Sequence, residues 1–352
     1  MLTRRVLVLA LTAAGSGLNV ASFAAENYPK KMIKVIVPYP PGVPSEIIYR
    51  LLADQLSAKF GRPVIIENRP GGAGGTVGAA AVANAEPDGY TLLACAAGPL
   101  VTAAALYKNL GYEPSRSFAP IAMLFTSPNL LAVNSALPTK SLQELVGYVK
   151  SKPGKISFAS VGFGTQPHLL AEMLKSEAGI DIVHVPYRGN AAAVTDLLAG
   201  QVQVYFGTPA DILPYVGGGK VRAIAVADTL RFPQLPDVPT TVESGFPNLT
   251  AEFWSGVLVP AGTPVSIVDQ LNVAINESMR SPDARLALNQ TGGKAKLGTP
   301  EDFKVHHCGN AGVVGDHKGY RREDRLSTIG QRQQSRGKHA IPANGCFTPL
   351  PD

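Results

Sequence analysis

Two short segments of this chain have residue types and spacing suited to holding an anion. One is Tyr39-Pro40-Pro41-Gly42-Val43-Pro44-Ser45-Glu46, the other Ser160-Val161-Gly162-Phe163-Gly164-Thr165-Gln166. Each follows a strand pattern, Lys34 to Val37 and Ile156 to Ala159, and each opens a helical one. Ser45 and Thr165 stand where an N-cap is expected, and Pro167 suits a first helical turn. The N–H groups and positive dipole end at a helix start stabilise a carboxylate without any Lys or Arg. Taken singly, such a loop need be nothing more than a tight turn built from Gly and Pro. If the two face one another, two helix N-termini point into one cleft.

Other chemistries find less support. Gly71-Gly72-Ala73-Gly74-Gly75 invites a nucleotide reading, but Thr76-Val77-Gly78 follows it where a P-loop needs Gly-Lys-Ser/Thr. Glu67-Asn68-Arg69-Pro70 separates it from its strand, which a dinucleotide fingerprint does not tolerate. It reads instead as a connection to a helix whose alanines pack closely. His168 and His184 are the only histidines before residue 304. Ser160, His168 and Asp181 or Asp196 can be drawn as a triad, yet no Gly-x-Ser-x-Gly elbow is present. No H-x-x-x-H or cysteine cluster points to a metal. The expectation is two structural histidines, no catalysis, no cofactor and no metal. Cys95 follows Thr91 to Ala94 and reads as a small buried apolar residue.

The elements that must position these loops alternate strand and helix from Ile33 to about Ser127, and again after Asn129 to Val133. A helix over Ser45 to Phe60 places Ile47, Ile48, Leu51, Leu52, Leu56 and Phe60 on one face. Helices are expected near Ser141 to Ser151, Pro167 to Glu177 and Ala191 to Leu198, with strands at Ile180 to Val185, Val202 to Phe206 and Val221 to Ala227. The turn-rich stretch Pro233 to Pro247 precedes a strand, Phe253 to Pro260, and a helix, Pro264 to Met279. Alternation of this kind specifies an α/β fold with helices on both faces of mainly parallel sheets.

The wording of these pieces resembles the Bug-type solute receptors of tripartite tricarboxylate transporters. The strand with its Pro-Pro-Gly loop, Asn68-Arg69-Pro70-Gly71 and Asp88-Gly89-Tyr90 recur there in this order. So do Tyr112-Glu113-Pro114, Phe118-Ala119-Pro120, Val185-Pro186-Tyr187-Arg188-Gly189, Leu235-Pro236-Asp237-Val238-Pro239-Thr240 and Pro260-Ala261-Gly262-Thr263-Pro264. The resemblance covers residues 28–303. It implies a type II periplasmic binding protein-like fold, with residues 26–127 and 230–303 in one lobe, 128–229 in the other, and a ligand cleft between them. In that context the matched loops read as a clamp for a small organic carboxylate, delivered by a monomeric receptor to membrane permease subunits. The residues implied at the ligand are Tyr39, Gly42, Val43, Ser45, Glu46, Gly162, Phe163, Gly164, Thr165, Gln166, Tyr187, Gly207, Thr208 and Trp254. Trp254, the single Trp, suits core packing equally well. A ligand sensor for a signalling system and an exported hydrolase are the competing functions. Similar receptors usually carry Gly-Gly at Gly42-Val43, Asp at Glu46 and often Asp at Gly207. These departures point away from an amino acid and toward a di- or tricarboxylate or an aromatic acid.

The ends differ from the body. Residues 1–25 read as an export signal, with Arg4 and Arg5 before the apolar Val6 to Ala14 and small residues around Ser22-Phe23-Ala24. The mature chain is expected to be exported, and the resemblance implies the periplasm as its compartment. Residues 304–352 keep no apolar periodicity and have the composition of an out-of-frame reading. The chain carries a formal net charge of +6. The last segment holds eight basic residues against four acidic ones, and Arg4 and Arg5 add two positive charges, which leaves residues 25–303 neutral. A nucleic-acid partner therefore loses its electrostatic basis.

Overall fold

The computed structural model describes residues 28–107 and 109–303. The expected export signal and the atypical segment 304–352 lie outside the described residues. In the first lobe, β1 (Ile33–Val37), α1 (Ser45–Phe60), β2 (Val64–Asn68), α2 (Thr76–Ala83), β3 (Thr91–Cys95), α3 (Ala103–Leu106) and β4 (Phe118–Ser127) follow one another. The second lobe runs β5 (Leu130–Asn134), α4 (Leu142–Ser151), β6 (Ser157–Ser160), α5 (Gln166–Ala178), β7 (Val183–Pro186), α6 (Asn190–Ala199), β8 (Val204–Gly207), α7 (Pro209–Val216) and β9 (Val221–Val226). The chain then returns through β10 (Phe253–Pro260), α8 (Val265–Met279), α9 (Pro282–Thr291) and the short β11 (Lys294–Ala295).

The sheets have the orders β11-β4-β10-β3-β1-β2 and β7-β6-β8-β5-β9. Both are mixed, with one direction predominating, shared by β1, β2, β3 and β4 in the first sheet and by β6, β7, β8 and β9 in the second. β1 is parallel to β2 and β3, and β6 to β7 and β8, while β10 and β5 run antiparallel to both of their neighbours. The reason is the double crossing. A strand arriving from the other lobe begins at the edge where the others end, so it must run against them. Apart from β11 the two orders are equivalent. β1 matches β6, β2 matches β7, and β3 matches β8.

The return crossing comes later than residue 230. Phe232, Leu235 and Val238 pack with one core cluster of the second lobe, Phe246, Leu249 and Ala251 with the other. The chain re-enters the first sheet only at Phe253. The buried Asn129 side chain binds the outgoing and returning crossings together, its Nδ2 donating to the Ala251 carbonyl at 2.9 Å. Each sheet is covered on both faces, one of them in the first lobe by α1, α8 and α9. α1 buries Ile48, Tyr49, Leu52, Ala53 and Leu56 at helical spacing and stops at Gly61, whose left-handed φ of 61° closes the last turn. Ile47, expected on that core face, points outward instead, with 55% of its surface exposed.

Candidate functional site

Parallel strands ending at one edge place six loops there, three per lobe, and each leads into a helix or a helical turn. In the first lobe they span residues 38–44, 69–72 and 96–97. In the second they span 161–165, 187–189 and residue 208. None of them contains Asp or Glu. The edge is therefore complementary to an anion through backbone N–H groups and helix dipoles. The two loops singled out in the sequence, after β1 and after β6, occupy equivalent positions in the two sheets.

The glycine run after β2 packs the three first-lobe loops against each other. A Cβ on Gly75 or Gly78 would fall under 3 Å from Pro38, in the loop after β1. It is thus a close-packed seam rather than a phosphate cradle.

Several expected ligand residues turn out to hold the edge together. Pro44, not Ser45, takes the N-cap position of α1. Ser45 lies inside the helix, buried, and hydrogen-bonds Tyr49, whose hydroxyl also meets Ser255 Oγ at 2.6 Å. Glu46 folds back, its Oε2 accepting the Gly42 N–H at 2.7 Å while Oε1 pairs with Arg50. The Tyr39 hydroxyl accepts the Ala96 N–H at 3.1 Å, joining the loops after β1 and β3, and burial pushes this phenol well above its ordinary pKa. Trp254 is a core residue with 1% exposure, edge-on to Phe303 at 5.6 Å between ring centres.

In the second lobe, Thr165 occupies the N-cap position of α5 with Pro in the first turn, as expected. Its hydroxyl, however, donates to the Gly162 carbonyl at 2.7 Å instead of capping the helix. Gly162 and Gly164 have φ of 120° and 75°, conformations that L side chains avoid. Gln166 is half-buried at the start of α5, and Phe163 is exposed at the loop apex. Tyr187 donates to Asp196 Oδ2 at 2.6 Å, and burial together with that carboxylate raises its pKa to about 12. Thr208 forms a capping box with Asp211 at the start of α7. Gly207 is fixed by crowding, since a Cβ there would sit 2.5 Å from the Tyr205 ring.

Two networks were not foreseen. Asp211 is buried, accepts from Asn190 Nδ2 at 2.9 Å and from Thr208 Oγ1 at 2.9 Å, and burial raises its pKa. The second joins Ser160 to His184, not His168, with Oγ and Nε2 2.6 Å apart. Ser160 has no exposed surface, and its Oγ also exchanges hydrogen bonds with Gly162, accepting from the N–H and donating to the carbonyl, each at 3.1 Å. His168 Nδ1 accepts the Gly164 N–H at 3.3 Å. Burial first, then mutual proximity or Lys175, lowers both histidines to about 4. They are neutral struts beneath the loop. Sequence spacing hid this arrangement because Ser160 and His184 lie on neighbouring strands. Among the described residues no group of three or more His, Cys, Asp and Glu converges on a metal position.

With this geometry in hand, comparison with known proteins is decisive. Residues 48–302 match the tripartite tricarboxylate transporter family receptor. The chain belongs to that family. Protein BugT of Bordetella pertussis is 35% identical over 304 residues, covering 86% of this chain and 93% of that protein. The periplasmic binding protein BugD superposes with a TM-score of 0.75 at 35% identity, covering 81% of this chain and 95% of the other. MatC from Rhodopseudomonas palustris with bound malate gives 0.76 at 32% identity, covering 81% and 97%. The two-lobed α/β architecture anticipated from the sequence is the architecture of these receptors.

Proposed function

We propose that this family member is a periplasmic receptor that closes its two lobes around a small organic carboxylate and passes it, as a monomer, to the permease subunits of a tripartite transporter. The observation that carries this reading is the acid-free edge of six loops, each leading into a helix start. Such an edge stabilises a carboxylate and offers nothing to a ligand ammonium group. The carboxylates that border it are occupied, Glu46 by Gly42 N–H and Arg50, Glu67 by Arg69, Asp196 by Tyr187, and Asp211 by Asn190 and Thr208. The malate held by MatC supports the same ligand class. A hydrolase is disfavoured because the one serine-histidine pair at this edge is buried and committed to its loop. No helix among the described residues is long and apolar enough to cross a membrane.

The test is calorimetric titration and thermal unfolding against a panel of mono-, di- and tricarboxylates and amino acids. A true ligand at about 100 times its Kd adds roughly 2.7 kcal/mol to stability, a plain upward shift in Tm. The reading fails if the folded protein binds no organic acid, or if amino acids bind better than their deaminated counterparts.

A further inference from the structure

We propose that Phe163 is a specificity-determining residue that packs on the body of the ligand, and that the ligand is a carboxylate with an apolar body, a ring or a hydrocarbon chain. This rests on the carboxylate-receptor reading and names the ligand class within it. Phe163 is a large apolar side chain with 56% of its surface exposed, at the apex of the loop between β6 and α5. An exposed Phe on a pliable loop would mean little. This one stands on a built platform.

Its ring is edge-on to His184 at 4.8 Å and 90°, and to His168 at 5.4 Å and 67° between centroids and planes. Phe158 stacks beneath His184 at 4.8 Å and 17°. The same two histidines hold the loop backbone, His168 through the Gly164 N–H and His184 through Ser160. The ring is therefore held at the lobe edge, next to the start of α5, whose first-turn N–H groups and dipole would take the carboxylate. Preorganisation of this kind lowers the ordering cost of binding. In the opposite lobe the equivalent loop, residues 38–44, likewise carries no acid. Lobe closure would set the Phe163 ring against whatever the carboxylate is attached to, in a rim of loops without acids.

The experiment is titration of the parent, Phe163→Ala and Phe163→Leu with benzoate, hexanoate, malate and succinate, with Tm and Trp254 emission checking that each variant is folded. The parent should prefer benzoate or hexanoate to malate, the ratio of the two reporting ring against chain. Phe163→Ala should weaken the apolar acids by about tenfold while malate changes less than about twofold, and Leu should restore most of the loss for hexanoate. Equal weakening of all four acids would make Phe163 merely structural and overturn the proposal. So would a parent that binds malate tightly and ignores benzoate and hexanoate, although the carboxylate reading would then survive. If none of the acids in the wider panel binds, both readings fall together.

Discussion

At the residue scale, the departures from the family pattern become intelligible as packing. Gly207 replaces an acid often found in similar receptors, and the reason lies in its neighbours. The Tyr205 ring and the Ile212 side chain occupy the space that any Cβ at 207 would need. Overpacking a dense core costs typically about 1–3 kcal/mol. Gly207→Ala should therefore lower the urea midpoint by an amount in that range, and Gly207→Asp by more, since its carboxylate would be buried beside Tyr205. Neither should acquire affinity for an amino acid. A Gly207→Asp protein as stable as the parent, or one that binds amino acids, would show that room for an acid exists there. Glu46 is a different case. Its side chain is one methylene longer than Asp, and the geometry gives that length a use, reaching back to the Gly42 N–H. Sequence reasoning placed both residues at the site, but could not tell a ligand contact from a loop clasp, because that depends on which way a carboxylate turns.

At the element scale, the bounds of α1 were legible although its cap and the side taken by Ile47 were not, since a 16-residue amphipathic run bounded by Pro44 and Gly61 leaves little freedom. α7 was not, because Pro209 and Pro214 within eight residues disguise its helical period. The loop after β6 was located from its glycines, yet its supports on α5 and β7 come from strand pairing that no local pattern reveals. Those supports make the element sensitive to pH. Both histidines have folded pKa values near 4, below the ordinary 6.5, so the native state binds fewer protons than the unfolded chain between these values. Their stabilising contribution is complete above about 6.5 and is lost as pH falls toward 4. Protonating His168 Nδ1 would also eject the Gly164 N–H. Urea midpoints measured from pH 7.5 down to 5 should fall in the parent, and fall less steeply in His168→Asn and in His184→Gln. Parallel slopes for parent and variants would mean that these histidines are not the titrating groups.

At the scale of the whole molecule, the described chain ends by inserting a side chain into the first lobe's core. Phe303 has 1% exposure, its ring rests on Gly256 so closely that a Cβ there would lie 2.2 Å away, and it meets the edge of Trp254. Gly256 lies in β10, the strand that returns from the second lobe, and pairs with both β3 and β4. Phe303 thus plugs the face of the sheet opposite α1 and α8, at a strand on which the register of the first lobe depends. Truncating a buried Phe typically costs about 3–5 kcal/mol, a large share of a total stability of about 5–15 kcal/mol. Phe303→Ala should therefore lower Tm by several degrees and shift Trp254 emission to longer wavelength in the folded state, because water gains access to the indole. The binding edge lies on other residues, so carboxylate affinity measured well below the new Tm should change little. Phe303→Leu should recover part of the stability. If Phe303→Ala leaves Tm and Trp254 emission unchanged, the segment that follows α9 does not close this core, and the first lobe is held by its sheet and the other helices alone.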